Sequence, residues 1–123
     1  MKKTVFEILN LIAQVIYDKK GVNILALDVQ GLSNIADYLI IAEGNVDRHV
    51  AAIAQSIVDE LRKVGENPVH IEGLQSGDWV VLDYAGVMVH LFTPNYRIRY
   101  SLEKLWAESK IIDLSIEVAK PAN

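Results

Sequence analysis

A chain of 123 residues, 51% hydrophobic and 23% charged, has the length and balance of one globular domain with a real core. Its formal net charge of −4 withholds the broad attraction that drives binding to a phosphate backbone, so direct sequence-specific nucleic-acid binding is not expected. Cysteine is absent, which excludes disulfides, thiolate catalysis and cysteine-based zinc sites and fits a cytoplasmic location.

The opening run MKKTVFEILNLIAQVIY places two lysines before apolar residues, as a secretory leader does. Glu7, Asn10 and Gln14 interrupt it, however, and no small-residue cleavage site follows. No stretch reaches the roughly 18 uncharged apolar residues of a membrane span. The run reads instead as an amphipathic helix. Thr4 and Glu7 have the T-x-x-E spacing of a capping box, and Val5, Ile8, Leu9, Ile12 and Ile16 recur every three or four residues. Lys19 and Lys20 suit the negative end of the helix dipole, and Gly21 suits the C-terminal cap.

Two strand-like runs follow, residues 23–29 and 37–42, separated by QGLSNI. The second, YLIIA, is almost continuously apolar, as an interior strand covered on both faces should be. A second helix is expected over 46–64, with Val50, Ile53, Ala54, Ile57, Val58, Leu61 and Val64 as its buried stripe and Gly65 and Pro68 ending it. A short strand at 69–72 leads through a loop into DWVVLDYAGVMVHLF, a hairpin turning at Ala85-Gly86. A third helix starts near Pro94, a good first helical residue, and buries Ile98, Leu102, Leu105 and Trp106. After residue 109 the chain alternates apolar and polar residues only briefly. An added edge strand would fit, but a loose end is the preferred expectation. The division is thus a domain over 1–108 and a tail over 109–123. Helices interspersed with hairpins and one crossover imply an α/β fold, a mixed β-sheet of about five strands packed by helices.

Signatures of chemistry are lacking. There is no Walker loop, no G-x-G-x-x-G, no G-x-S-x-G and no H-E-x-x-H. His49, His70 and His90 show no metal-ligand spacing. His49, in the first turn of the second helix, suits a solvated or capping role, and His70 beside Glu72 suits the surface. Asp28, Asp37, Asp78 and Asp83 lie at strand ends without a D-x-D pair to hold a cation. The expectation is a non-enzyme with no catalytic residue, cofactor or metal. Ser33, Asn34 and Asp37 form either a binding loop or an ordinary turn. Arg97 and Arg99 form either a small basic spot or, for Arg99 with Glu103, a helix pair.

The hairpin raises a question of coverage. A turn at Ala85-Gly86 pairs Tyr84 with Val87, Leu82 with Val89 and Val80 with Leu91, which makes the core face. The other face then carries Trp79 opposite Phe92, Val81 opposite His90 and Asp83 opposite Met88. Such a mixed aromatic face either lies under a helix or serves as an interface, and a register slip of one residue would exchange the faces.

Four separated motifs carry a family resemblance: LDVQGLSNIADYLIIAEG, the RHV at 48–50, DWVVLDYAGVMVHLF and RIRYSLEKLW. Together they resemble the ribosomal silencing factor family, related to Iojap, over residues 6–106. The resemblance implies a nucleotidyltransferase-like topology without catalytic carboxylates. It implies binding to the large ribosomal subunit through ribosomal protein L-fourteen, steric blocking of the small subunit, and repression of translation under nutrient limitation. A homodimer when free of the ribosome is also implied. The family's partner-binding tryptophan maps onto Trp79. Hairpin geometry adds Met88, His90 and Phe92, with Asp83 at the rim. Tyr84 and Phe92 depart from the aliphatic residue and the methionine of some relatives. The alternative reading is a nucleotide-binding enzyme whose degenerate site combines the QGLSNIAD loop with Asp83.

Overall fold

The computed structural model describes residues 3–100 and 109–118, the side chains of 98–100 excepted. Thr4 opens the first helix, α1 (Val5–Asp18), with the expected reciprocal box. Its hydroxyl accepts the Glu7 amide at 3.2 Å, and the Glu7 carboxylate accepts the Thr4 amide at 2.9 Å. The helix ends one residue earlier than Gly21 suggests. Lys20 takes the left-handed conformation (φ 68°) and donates to the Tyr17 carbonyl, while Gly21 donates to the Ile16 carbonyl. Gly21 is small for a different reason: a Cβ there would run into the Ile16 side chain and carbonyl.

The remaining elements are β1 (Val22–Asp28), β2 (Tyr38–Glu43), α2 (Asp47–Arg62), β3 (His70–Glu72), β4 (Trp79–Asp83), β5 (Val87–Phe92), α3 (Pro94–Tyr100) and β6 (Lys110–Ile111). The strands form one six-stranded mixed sheet in the order β3-β4-β5-β2-β1-β6. Neighbours are antiparallel except β2 and β5, which run parallel in the centre across the crossover through α2. All six residues of β2 are buried, as its apolar run predicts.

The described residues form one hydrophobic cluster on each face of the sheet. On one face α1 and α2 lay Leu9, Ile12, Ile16, Ile53, Ile57 and Leu61 against Ile40, Ala42, Val80, Leu82, Val89 and Leu91 in a single buried cluster. Each of the Leu, Ile and Val side chains among them contributes roughly 1.5–3 kcal/mol of transfer free energy, so this cluster dominates stability. The six hairpin residues expected on the core face, Tyr84 included, all lie in it. The opposite face carries a smaller cluster of Leu27, Val29, Leu39, Ile41 and Phe92, against which Leu25, Trp79, Met88 and Tyr96 pack.

The tail departs from the loose end expected. Leu27 pairs with Ile111 and Asp28 with Lys110, and the Ile112 amide continues the ladder to the Ala26 carbonyl at 2.9 Å. The chain then crosses α1. The Asn10 side-chain oxygen accepts the Ser115 amide at 2.8 Å. The Gln14 amide group both accepts from the Glu117 nitrogen (2.7 Å) and donates to its carbonyl (3.1 Å). Ile112 and Leu114 turn inward onto the main core. Two polar side chains one helical turn apart satisfy the backbone of alternate tail residues, which is why so short an alternating run is held.

The third helix starts at Pro94 as expected, with the Tyr96 and Arg97 amides bonded to the Thr93 carbonyl. The expected burial of Ile98, Leu102, Leu105 and Trp106, and the pairing of Arg99 with Glu103, lie outside the described side chains.

Candidate partner-binding face

The hairpin pairs in the register that a turn at Ala85-Gly86 dictates: Trp79 with Phe92, Val81 with His90 and Asp83 with Met88. These six side chains therefore share the face opposite the main core. Ala85 holds the turn at φ 68°, unusual for a residue with a Cβ. It is held there by its amide donating to the Asp83 carboxylate at 2.8 Å and by the Tyr84 amide donating to the Val87 carbonyl. One oxygen of Asp83 is thus committed to shaping the hairpin.

Burial divides the five expected residues into two groups. Trp79, Asp83 and Met88 are half-buried. His90 is 9% exposed and Phe92 1%. The parallel neighbour β2 sets Leu39 beside Met88, Ile41 beside His90 and Glu43 beside Phe92, and Tyr96 of α3 packs against the cluster that holds Phe92. Phe92 is the foundation of the smaller cluster, and Trp79 stacks on it with centroids 5.3 Å apart and planes 26° from parallel. His90 stacks near-parallel to Phe92 at 6.1 Å. The indole Nε1–H of Trp79 donates to Nδ1 of His90 at 3.1 Å. Burial pushes the His90 imidazole down to about 4, so it is neutral at ordinary pH, with its hydrogen on Nε2. Val81, which shares the row of His90 and is half-buried, completes the face and follows from the same period-two pattern.

A polar clamp borders the face. Arg97 of α3 meets Glu43 at the end of β2 at 3.3 Å, both side chains being 11% exposed. Arg97 also donates to the Asn23 carbonyl, and the Asn23 side chain donates to Glu43 at 3.0 Å. Asn23 reaches this position at φ 54° within the irregular register between Val22 and Leu25. Arg97 is accordingly an internal tie between α3 and the sheet and not part of a solvent-facing basic spot. The charge of Glu43 at the end of YLIIAE was the available signal, since a buried carboxylate requires a partner.

The other sequence candidates resolve locally. His49 accepts the Asn45 amide at Nδ1 (2.8 Å), and its Nε2 lies 2.7 Å from the Lys19 carbonyl, so it ties the first turn of α2 to the loop before it and to the end of α1. His70 and Glu72 form an exposed pair at 2.9 Å. The Ser33 hydroxyl accepts the Ile35 and Ala36 amides, a local turn, and Asp37 and Tyr38 both donate to the Gly86 carbonyl. Among the described residues no three His, Asp or Glu side chains gather to hold a metal ion. No described helix is long and apolar enough to cross a membrane.

Fold and face together define an α/β domain with a stacked aromatic patch on the sheet face opposite its main core. A family model described as ribosomal silencing factor during starvation matches residues 2–123, and the chain belongs to that family. A ribosomal silencing factor of Bacillus subtilis is 41% identical over 107 residues, covering 87% of this chain and 91% of that protein. The crystal structure of a Chromobacterium violaceum protein is similar with a TM-score of 0.83 at 34% identity, over 97% of this chain and 98% of that one. A Bacillus halodurans crystal structure gives 0.77 at 33% identity, over 88% and 98%.

Proposed function

We propose that this protein is a translational repressor that binds the large ribosomal subunit through ribosomal protein L-fourteen and sterically blocks association with the small subunit when nutrients are limiting. Family membership and the silencing-factor name of the Bacillus subtilis relative support a ribosomal role. The observation that carries the docking face is the half-buried Trp79, stacked on a buried Phe92 and flanked by Met88 and Asp83. A rigid aromatic on a supported apolar base is the kind of group that anchors protein interfaces. A chain of net charge −4 gains by approaching a basic ribosomal protein and avoiding RNA phosphates.

In this reading repression involves no covalent step, cofactor or metal. Occupancy and bulk suffice, the protein works in the cytoplasm, and a homodimer is its resting form off the ribosome. Light scattering of purified subunits mixed with and without excess protein tests the proposal. Subunit joining should fall in proportion to the large subunits occupied; undiminished joining at saturating occupancy would refute the steric reading.

A further inference from the structure

We infer that His90 is a positioning residue for Trp79: its Nδ1 takes the indole hydrogen and fixes the ring's orientation, so that the partner meets an apolar aromatic surface already set in place. The inference rests on Trp79 being the docking anchor. Four observations carry it. His90 is itself 9% exposed, too covered to offer a partner much contact. Its Nδ1 lies 3.1 Å from Trp79 Nε1. Its ring is wedged against Phe92 and, by register, sits between Val81 and Ile41, so it cannot swing away without opening the smaller cluster. Among the described residues, the Trp79 ring is held from two directions, by the stack on Phe92 beneath and the bond to His90 beside it.

Two consequences follow from the chemistry. An indole has a single polar hydrogen, and this one is directed inward. Trp79 is then read through its area, and the matching spot on the partner is apolar and lacks a buried acceptor in need of a donor. Fixing the rotamer beforehand also removes the ordering cost that a mobile aromatic would incur on docking. Asp83, whose carboxylate oxygen holds the turn, remains at the rim.

Variants at His90 and Trp79, read by magnetic resonance and by binding, test the assignment. His90→Phe keeps the aromatic volume and removes the acceptor; His90→Asn returns an acceptor near the Nδ1 position. The Trp79 indole resonance is recorded in the free protein, identified by its loss in Trp79→Phe, together with affinity for large ribosomal subunits. The expectation for His90→Phe is a shifted, faster-exchanging indole proton and binding weakened about fivefold, the worth of one net hydrogen bond. His90→Asn should recover both. Nitrogen shifts of the wild-type imidazole supply a readout independent of any variant, and must show Nδ1 bare and Nε2 protonated. A protonated Nδ1, or an indole resonance unmoved in His90→Phe, overturns the bond. A moved indole with undiminished binding overturns the positioning role while the docking reading stands, provided Trp79→Glu still abolishes binding. Wild-type affinity in Trp79→Glu refutes the docking reading itself.

Discussion

An acid titration of stability, run in parallel on the chain and on His90→Phe from about pH 7 to about pH 4, probes how completely the sheet face is sealed. The imidazole sits among Phe92, Trp79 and the flanking strands, and burial moves its pKa from 6.5 to about 4. The unfolded chain therefore takes up the proton first. As pH falls through the window from 6.5 to about 4, the unfolded state binds more protons than the folded one, and stability decreases. At about 1.4 kcal/mol per unit of pKa difference, the loss from His90 is about 3 kcal/mol by the bottom of the window, and it is absent above pH 6.5. Urea unfolding at successive pH values measures it, since the other titrating groups are common to both proteins and cancel in the difference. The stability of the wild type should fall relative to His90→Phe by that amount across the window. Parallel curves would mean that the imidazole is open to water and that the face is not sealed at His90.

Other outcomes follow from individual contacts. Arg97→Met leaves Glu43 charged and almost buried, so unfolding stability should fall by about 3 kcal/mol, with most of it regained in the double variant Glu43→Gln, Arg97→Met; an additive double variant would deny the pairing. The Tyr84 hydroxyl is buried with no hydrogen-bond partner among the described residues, and its pKa is pushed up to about 12, chiefly by burial. Tyr84→Phe should hence be neutral to stabilising by about 1 kcal/mol in a denaturant melt, whereas a loss of that size would reveal a bond to the hydroxyl. Replacing Asn10 and Gln14 together by Ala should speed amide exchange at Ser115 and Glu117 while leaving α1 protected, and unchanged exchange would show that the tail is held by Ile112 and Leu114 alone.

The parts of this fold that could be read in advance are those whose cause is local. Thr4 and Glu7 satisfy each other within one helical turn. The Ala85-Gly86 turn sets the hairpin register and so sorts Trp79, Asp83, Met88, His90 and Phe92 onto one face. The unbroken YLIIA run announces a strand covered on both sides. What stayed hidden depends on partners distant in the chain. Phe92 and His90 are packed beside Glu43 and Ile41 by β2 lying parallel to β5, a pairing that no short-range pattern encodes. The tail is held by Asn10 and Gln14, more than a hundred residues away, which as isolated polar positions look like mere interruptions of a helix. Arg97 looked like surface charge because its acceptor, Glu43, closes a strand five elements earlier. Left-handed Lys20, Asn23 and Ala85 occupy conformations usually assigned to glycine, each stabilised by the hydrogen bonding around it.

The central claim is that the Trp79 face docks this protein on the large ribosomal subunit, and co-sedimentation with purified large subunits tests it most directly. Wild type is compared with Trp79→Glu, whose fold is checked by circular dichroism. A carboxylate forced against an apolar partner surface should lower affinity by several kcal/mol, on the order of a hundredfold or more. The account predicts that wild type pellets with the subunit and the folded variant stays in the supernatant. Equal pelleting of the two would place the contact elsewhere on the molecule and contradict the assignment.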